Sequence, residues 1–476
     1  MQIEQFFVDG LGHQSYFVTD GTSGMAAIID PRRDVDVYLE AARRATTRIT
    51  HILETHIHND YVTGSRELAA RTGATIVAGA EGQFQYDYQA VKDGDRIQVG
   101  GLTFQALATP GHTPEHVSYL LFEPETDKPY AVFSGGSMLV GGAGRTDLLG
   151  PDRTVTLTRD QYHSLLRLLQ TLPDTVLIYP THGAGSFCVA SAVSTTRYTT
   201  IGQEKLANPA ARAKDEQDFV RQQIEGYGAY PRYYDHMHDI NQRGPRILGT
   251  LLEPPAVSPE EVQKRMAEGI PLVDGRRRED FAREHVPGSL NIELDSSFGT
   301  YIGWELPFNT PLLLLIEDEQ GRREAVVQLV RIGYEQVQGY LDGGIQAWKM
   351  AALPTESFEQ IDLDTLYQRW AGPEHLTIVD VRADDEWREG HIPGALHFHV
   401  GDLPQHIDEV PADRPFATVC RSGHRAEIAA SMLAATGRNV IAVSPGGVPD
   451  WIKRGWPSTT EDRLASQDYQ AEHANQ

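Results

Sequence analysis

Cysteine is scarce in this chain: only two occur in 476 residues, at positions 188 and 420. Two thiols cannot cross-link a chain of this length, so we expect a reducing compartment, with the cytoplasm as the default. No stretch of about twenty apolar residues occurs, and we therefore expect no membrane span. The first residues carry neither a basic region nor an apolar core, so no signal peptide is expected.

Positive charge is also in short supply. Lys and Arg number 42 against 66 Asp and Glu, which gives a formal net charge of −24. Such a surface repels the phosphates of nucleic acids and the head groups of anionic membranes, so neither is expected as a partner. A small anionic substrate would need arginines that are concentrated locally.

The length and the hydrophobic fraction of 40% predict a globular protein of two to four domains. Within residues 1–200, strand-like runs alternate with helical patterns and glycine-rich turns, which indicates a layered α/β domain. Residues 201–250 are polar and are predicted to be mostly helical. The pair Pro254-Pro255 marks a boundary after them.

An internal repeat follows this boundary. Residues 272–276 (Leu-Val-Asp-Gly-Arg) resemble residues 378–382 (Ile-Val-Asp-Val-Arg), and residues 285–289 resemble residues 391–395 at the same offset of 106. Each copy ends in a Gly-Gly turn followed by a tryptophan. The pattern predicts a duplicated module of about 105 residues. The predicted domains are 1–253, 254–352 and 353–460, followed by a polar tail at 461–476.

Cys420 lies between an apolar, strand-like run and a helical run. The segment 420–425 reads Cys-Arg-Ser-Gly-His-Arg. Backbone amides at a helix start, the helix dipole and two arginines would stabilise a thiolate there, which is the nucleophilic form of cysteine. A buried, inert cysteine is the alternative. The catalytic candidates are Cys420, Arg421 and Arg425, and Ser422, Gly423 and His424 are candidates for binding the substrate.

The ordered set of Asp-x-Arg, His-Ile-Pro-Gly-Ala and Cys-Arg-x-Gly-x-Arg resembles the rhodanese family of sulfurtransferases, which are doubly wound α/β domains. The resemblance covers residues 357–460. It implies that Cys420 accepts a sulfane sulfur as a persulfide, that the amides of residues 421–425 cradle this sulfur, and that Arg425 orients the loop. Four residues separate Cys420 from Arg425, whereas cysteine phosphatases use five, and the shorter loop favours a single sulfur atom.

The first copy has the frame of such a domain without its nucleophile. Glu317-Asp318-Glu319 stands where the cysteine loop would follow the strand-like run 312–316. Acidic side chains there would repel thiosulfate or sulfite. We therefore expect residues 254–352 to be a spacer, a docking module or an oligomer contact.

Three histidine motifs occur in the first 200 residues. Residues 55–61 read Thr-His-Ile-His-Asn-Asp-Tyr, Pro-Gly-His ends at His112, and Pro-Thr-His-Gly contains His182. Each follows a predicted strand, where α/β folds place their ligands, and two histidines two residues apart can converge on one ion. The ordered set resembles the metallo-β-lactamase fold, an αββα sandwich.

Together with residues 144–147 (Gly-Arg-Thr-Asp) and the appended rhodanese, the first domain resembles the persulfide dioxygenases. These use one non-haem iron to oxidise a thiol persulfide with O₂ to sulfite. The resemblance implies iron ligation by His56, His112 and an aspartate. The aspartate does not map, because Gly136 occupies its position, and Tyr61 replaces the last histidine of the first motif. Both changes remove ligands associated with a second metal ion and disfavour a two-zinc hydrolase.

We therefore predict one metal ion on His56, His58 and His112, with open positions for persulfide and O₂. The expected metal is Fe²⁺, with Zn²⁺ as the alternative, and a metal-free domain is the competing interpretation. Asp60 and Asp147 are candidates for an oxygen ligand, direct or through water, and His182 is expected to support a ligand from behind.

Three further residues are candidates for the substrate pocket. Arg145 and Thr146 are expected to face the substrate, although a plain glycine-rich turn explains them equally well. Cys188 follows His182 by six residues and would relay sulfur or bind substrate by disulfide exchange. A small buried hydrophobe is the alternative for this cysteine.

The predicted fold class is α/β, with an amino-terminal αββα sandwich followed by two doubly wound, rhodanese-like domains. The predicted function is an iron-dependent oxidation of a glutathione or coenzyme A persulfide to sulfite, coupled to sulfur transfer at Cys420 with thiosulfate as product or donor. Two alternatives stay open: a zinc thioester hydrolase of the glyoxalase II type, and a sulfur carrier that is chemically active only at Cys420.

Overall fold

The chain divides into two compact units, residues 1–251 with 327–333, and residues 252–326 with 334–476. The computed structural model describes residues 1–124, 126–190, 195–251 and 253–460. The predicted polar tail at 461–476 lies outside the described residues. Among those that are described, no helix is both long enough and apolar enough to cross a lipid bilayer.

Two six-stranded sheets form the amino-terminal unit. The first sheet follows chain order: Gln2–Val8, His13–Asp20, Met25–Ile29, Arg48–Leu53, Thr75–Gly79 and Gln89–Val91. Its first two pairs of strands are antiparallel and the next three are parallel. The second sheet has the spatial order Thr199–Thr200, Leu177–Pro180, Pro129–Gly135, Val117–Phe122, Leu102–Ala108 and Arg96–Val99. A short ribbon pairs Met138–Leu139 with Gly142–Ala143.

The two sheets pack face to face around one apolar core. Tyr16 and Leu53 from the first sheet share this core with Phe104 and Phe133 from the second. Burying these faces removes them from water and is the main stabilising contribution of the domain. The predicted αββα sandwich is confirmed, because helices cover the outer face of each sheet. The helices of this part are Asp36–Ala45, Ser65–Thr72, Pro151–Thr171, Ile201–Ala207, Pro209–Arg212, Glu216–Glu225 and Tyr234–Arg243.

The longest helix, Pro151–Thr171, shows how its sequence determines its position. Proline is favoured at the first helical residue because its missing N–H has no partner there in any case. Leu157, Leu165 and Leu168 are buried on one face, because spacings of eight and three residues place side chains on the same side of a helix. This face packs against the second sheet.

The second unit contains two five-stranded parallel sheets with the same strand order. The first is Ala256–Val257, Val337–Leu341, Leu312–Leu315, Leu272–Asp274 and Leu290–Asn291, and the second is Glu359–Ile361, Val440–Val443, Phe416–Val419, Thr377–Asp380 and Leu396–His397. The shared order confirms two doubly wound domains. The helices of the two copies are Pro259–Ala267, Arg278–Arg283, Phe298–Glu305, Glu319–Arg331 and Gly344–Met350, then Leu363–Ala371, Asp384–Glu389, Leu403–His406, His424–Ala434 and Val448–Lys453.

The repeated motifs make the same contacts in both copies. The indole N–H of Trp348 donates to the carbonyl of Pro354 at 2.8 Å, and that of Trp451 donates to Pro457 at 2.8 Å. In the second copy Arg382 pairs with the buried Asp380 at 2.7 Å. The conserved spacing therefore reflects structural contacts that each domain needs, whether or not it carries the cysteine.

Glu427, on the helix His424–Ala434, gives the second unit an expected pH dependence. Its Oε2 accepts from the amide of Gln360 at 3.2 Å, and its buried Oε1 has no partner within the described part of the chain. Burial raises the pKa of Glu427 to about 8. Between pH about 4.5 and about 8 the folded chain therefore keeps a proton that the unfolded chain loses, and stability falls as the pH rises through this window.

We expect Glu427→Gln to remove this loss, which is worth about 1.4 kcal/mol for each unit of pKa shift. Thermal unfolding should show the variant to be more stable than the parent at pH 8.5, with a much smaller difference at pH 5. The exposed Glu389 provides the matched control, Glu389→Gln. Parallel pH profiles for parent and Glu427→Gln would contradict the assignment.

Candidate functional sites

The carboxyl ends of strands bring three histidines together in the first unit. His56 follows the strand Arg48–Leu53, His112 follows Leu102–Ala108, and His182 follows Leu177–Pro180. All three are buried. Their ring centroids are 4.8 Å apart for His56 and His112 and 5.3 Å apart for each of the two pairs with His182. One nitrogen of each ring lies within 4.8 Å of the others, so the three imidazoles surround one point.

Hydrogen bonds assign the proton positions on two of these rings. Nδ1 of His112 lies 2.6 Å from the carbonyl oxygen of Arg145, which only accepts, so Nδ1 is the donor. The Thr55 hydroxyl donates to Oδ2 of Asp30 at 2.7 Å and therefore accepts from Nδ1 of His56 at 2.8 Å. Each ring consequently presents Nε2 as an unprotonated nitrogen, the form in which histidine binds metals.

Gly136 lies directly against one of these rings. A Cβ built at this glycine would come within 2.1 Å of Cδ2 and 2.6 Å of Nε2 of His112. No side chain fits there unless the ring moves. The imidazole of His112 thus fills the space where the resemblance placed an aspartate ligand.

His58, predicted as a ligand, is held by two carboxylates. Its Nε2 lies 2.9 Å from Oε2 of Glu54 and 3.4 Å from Oδ1 of Asp30. Burial alone would lower the pKa of His58, but the two carboxylates outweigh it and raise this pKa to about 10. His58 is therefore an imidazolium at neutral pH. Its ring is 4.2 Å from that of His56. The ion pair engages Nε2, whereas the buried Nδ1 has no hydrogen-bond partner among the described residues, so ligation by His58 through Nδ1 stays a prediction.

Two more residues line the cluster without being available to a metal. His116, which sequence reasoning missed, stacks on His56 with centroids 5.0 Å apart. Its Nδ1 lies 2.8 Å from the Thr109 hydroxyl and its Nε2 accepts from the Gly136 N–H at 3.0 Å, so both nitrogens are in use. The spacing of four between His112 and His116 was the available signal. Tyr61 donates its hydroxyl to the carbonyl of Asp30 at 3.2 Å.

The segment after the ribbon is bound into the protein interior. Arg145 pairs with both oxygens of Asp147 at 2.7 and 2.8 Å and also donates to the carbonyls of Phe187 and Gly228. The Thr146 hydroxyl bonds to those of Thr158 and Tyr227. Arg145 and Thr146 are only 2% and 1% exposed, so this geometry favours structural roles for them. Asp147 is engaged in this ion pair with Arg145.

Cys188 is fully buried close to Arg145, whose N–H donates to the carbonyl of Cys188 at 2.8 Å. Burial raises the pKa of the Cys188 thiol well above its usual value, and Asp60 raises it further. The residue is therefore a neutral thiol at physiological pH. Since the thiolate is the reactive form, this environment favours the buried hydrophobe over the sulfur relay.

The second site is the cysteine loop of the carboxyl-terminal copy. Cys420 follows the strand Phe416–Val419, and the helix His424–Ala434 begins four residues later. The N–H of Gly423 donates to Sγ of Cys420 at 3.2 Å. Gly423 has a φ of +104°, and a Cβ there would lie 2.8 Å from Cβ of Ser444, so glycine is required. The loop turns back on the sulfur at this residue.

The two arginines of the loop have different environments. Arg425 forms two hydrogen bonds to the carboxylate of Glu386, at 2.5 and 2.9 Å. Arg421 is 69% exposed and lies 3.8 Å from the same carboxylate. Arg425 thus anchors the loop to the helix Asp384–Glu389, whereas Arg421 and the exposed Ser422 can meet an incoming anion.

The first copy contributes side chains next to this loop, within the same unit. The ring of Tyr301, from the helix Phe298–Glu305, packs edge-on to His424 with centroids 4.8 Å apart. Asp295 lies 3.6 Å from Nδ1 of His424. The ring of Trp304, on the same helix, packs edge-on to that of His399 in the second copy, with ring centroids 4.8 Å apart. The sequence did not indicate these contacts, because no motif marks a residue whose neighbour lies about a hundred positions away along the chain.

A cleft of about 510 Å³ lies at the matching place in the first copy. Glu317 and Asp318 line it where the cysteine loop would be, and Arg276 and Arg277 also line it. The first copy therefore has, in place of a cysteine loop, a cleft that is lined by both acidic and basic side chains.

Comparison with known families follows this division of the chain. Residues 8–182 match the metallo-beta-lactamase superfamily model, and residues 258–351 and 362–454 each match the rhodanese-like domain model. The chain is a metallo-β-lactamase superfamily protein with two rhodanese-like domains. Its metallo-β-lactamase domain is homologous to the mitochondrial persulfide dioxygenase ETHE1 of Bos taurus, with 32% identity over 214 residues, covering 44% of this chain and 74% of that protein.

Other relatives extend the comparison. The human persulfide dioxygenase ETHE1 is equally similar, with 32% identity over 214 residues, 44% of this chain and 74% of that protein. Hydroxyacylglutathione hydrolase of Pseudomonas putida is 29% identical over 223 residues, covering 42% of this chain and 82% of the hydrolase. The crystal structure of a metallo-beta-lactamase from Staphylococcus aureus superposes with a TM-score of 0.63 at 31% identity, over 71% of this chain and 98% of that one.

Proposed function

We propose that the protein is a persulfide dioxygenase coupled to a sulfurtransferase. The observation that carries the proposal is the joint presence of a buried cluster of unprotonated histidine nitrogens and a strand–loop–helix cysteine cradle in one chain. The persulfide dioxygenases among the relatives of the first domain support the first activity. The match of residues 362–454 to the rhodanese-like model supports the second.

The first reaction converts a thiol persulfide anion, O₂ and water into the thiol, sulfite and a proton. The S–S bond breaks, the outer sulfur is oxidised, and O₂ is reduced. Ferrous iron, when bound, would supply the one-electron chemistry that allows O₂ to react with a persulfide. The donor set fits such an ion, because Nε2 of His112 is buried and has no hydrogen-bond partner among the described residues. His56 and His112 would hold it.

The residues around the cluster orient these two ligands. The Arg145 carbonyl holds Nδ1 of His112, and Thr55, itself bound to Asp30, holds Nδ1 of His56. Such bonds behind a ligand orient the ring and increase its basicity. The burial of both rings excludes bulk water from the metal position, which protects an oxidisable substrate from side reactions.

The second reaction takes place at Cys420. The thiolate attacks the sulfane sulfur of thiosulfate, a new S–S bond forms at Sγ, and the S–S bond of thiosulfate breaks with its electron pair leaving on sulfite. The reverse reaction joins sulfite to the Cys420 persulfide and releases thiosulfate. The Gly423 amide stabilises the anionic sulfur, and Arg421 attracts the anion.

Oxygen consumption tests the first activity. Protein loaded with ferrous iron should consume one O₂ for each sulfite formed from glutathione persulfide or coenzyme A persulfide. Adding sulfite to thiosulfate-treated or persulfide-treated protein should then release thiosulfate. Absence of O₂ uptake with both persulfides at full iron loading would exclude the dioxygenase.

A zinc-dependent thioester hydrolase is the second candidate, because the hydroxyacylglutathione hydrolases also match the first domain. Gly136 has no side chain and the Tyr61 hydroxyl is bound to the carbonyl of Asp30, so neither position offers the ligand that a second metal ion would need. Turnover of S-lactoylglutathione by zinc-loaded protein, without O₂ uptake by the iron-loaded form, would favour the hydrolase. A sulfur carrier predicts neither activity, no bound metal, and persulfide on Cys420.

The contact of Tyr301 with His424 predicts a role for the first rhodanese-like domain in the reaction of the second. An aromatic pair of this kind contributes about 0.5–1.5 kcal/mol, so Tyr301→Ala should raise KM for thiosulfate roughly threefold to tenfold by loosening the cysteine loop. Tyr301→Phe keeps the ring and is the matched control, with KM close to that of the parent. Equal KM values for Tyr301→Ala and the parent would show that the first copy is only a spacer.

A further inference from the structure

We propose that His182 is the third metal ligand, so that the ion is held by Nε2 of His56, His112 and His182 and by no carboxylate. The inference rests on the proposed metal-dependent function of the first domain and specifies its ligand set. It differs from the set expected from the sequence, which contained His58 in place of His182. It also differs from the two histidines and one aspartate that the resemblance to persulfide dioxygenases implies.

The spacing of the nitrogens fits one ion. Nε2 of His56 and Nε2 of His182 are 3.3 Å apart. Two nitrogens that each lie about 2.0–2.1 Å from one ion are roughly 3.0–3.4 Å from each other at octahedral or tetrahedral angles. The third nitrogen, on His112, lies within 4.8 Å of both. His112 would therefore have to approach the other two rings to bind the same ion.

The nitrogens of two rings face each other across the proposed metal position. With Nδ1 of His56 and of His112 held by Thr55 and by the Arg145 carbonyl, Nε2 of each of these two rings presents a lone pair. Nε2 of His182 lies 3.3 Å from Nε2 of His56, a distance that suits a hydrogen bond when His182 carries its proton on Nε2 and a pair of ligand atoms when an ion replaces that proton. Oδ2 of Asp60 lies 3.1 Å from Nδ1 of His182, so a carboxylate is available behind this ring.

The other candidate ligands are less well placed than His182. His116 uses both of its nitrogens. Nε2 of His58 is bound by Glu54 and Asp30, which leaves only its buried Nδ1 for an ion. Position 136 admits no carboxylate, because the His112 ring occupies its space. Asp60 contacts the far side of the His182 ring, where it orients this ligand instead of binding the ion itself. The glycine at position 136 and the use of His182 as a ligand therefore belong together. His112 fills the space of the expected carboxylate, and His182 supplies the third ligand atom in its place.

The all-histidine set has a consequence for the substrate. A carboxylate ligand would cancel one unit of the charge of a divalent ion, whereas three neutral imidazoles leave both units in place. Asp60, which lies behind the His182 ring, compensates part of this positive charge. A buried site with this excess of positive charge selects an anionic ligand, and a persulfide, which is ionised near neutral pH, satisfies this requirement.

The test counts imidazoles in the unmodified protein. X-ray absorption at the iron edge of anaerobically loaded protein should show three imidazole ligands per iron, and metal analysis should show one iron per chain. Two imidazoles with a carboxylate would overturn the ligand set while leaving the dioxygenase proposal intact. Three imidazoles without O₂ uptake would support the ligand set and exclude the dioxygenase.

Variants provide an independent readout. His182→Gly should weaken binding of Co²⁺, followed by its visible absorption, by at least a hundredfold, and added imidazole should restore it by filling the space of the lost ring. A merely structural role for His182 would not give this rescue. Asp60→Asn should keep one Co²⁺ per chain and weaken its binding by about tenfold to a hundredfold. Unchanged Co²⁺ affinity in folded His182→Gly would overturn the inference.

Discussion

Replacing Cys420 with serine is expected to lower sulfur transfer from thiosulfate to cyanide by about a thousandfold or more. A hydroxyl cannot form the persulfide, and removing the nucleophile of a covalent mechanism eliminates the intermediate and not merely one contact. Thiocyanate formation measures the rate. The surrounding loop should keep its structure, since Arg425 stays bound to Glu386.

The chain contains its own matched control, the second cysteine. Cys188→Ser also exchanges a buried sulfur for oxygen, but at a thiol whose pKa burial raises well above its usual value. We expect this variant to transfer sulfur within about twofold of the parent rate, although it will lose some stability because a hydroxyl is costlier to bury. Comparable losses in the two variants would contradict a mechanism that depends on Cys420.

Replacing His56 with alanine is expected to have the largest effect on the first domain. Its Nε2 faces His182 and its ring is adjacent to that of His112, so its loss removes one wall of the metal position. Iron content after anaerobic loading and dialysis should fall by at least about tenfold, and O₂ uptake with glutathione persulfide should fall by at least a hundredfold.

His51 is the matched control for this change, because it lies five residues earlier on the strand Arg48–Leu53 and is only half-buried. His51→Ala should keep one iron per chain and the parent rate of O₂ uptake. Thiocyanate formation should survive in both variants, since Cys420 belongs to the other unit. Retention of O₂ uptake by iron-loaded His56→Ala would exclude the histidine cluster as the site of oxidation.

The two rhodanese-like domains share their fold although only the second carries the cysteine. Both copies keep the same strand order and the same tryptophan contact. The first copy places Glu317 and Asp318 at the position of the cysteine loop, yet its Tyr301 contacts that loop in the second copy. A domain without the cysteine can thus contribute to the environment of the cysteine loop in its neighbour.

Local patterns in the sequence were sufficient for the architecture. The repeat at an offset of 106 residues predicted two similar domains, which are observed as two sheets with the same strand order. The strand–loop–helix around Cys420 was also predicted correctly, with its strand at Phe416–Val419. These features follow from hydrophobic periodicity, glycine positions and residue spacing, all of which act over a few neighbouring residues.

The sequence by itself determined that the chain would form an α/β sandwich with two doubly wound domains, and it predicted chemistry at Cys420 and at the histidine motifs. Only the tertiary structure decided which histidine nitrogens converge, that Glu54 and Asp30 hold His58, and that Arg145 is buried in an ion pair. The reason is physical: whether a polar group binds a metal, a carboxylate or a backbone carbonyl depends on partners supplied by distant strands. Those partners become neighbours only when the sheets pack.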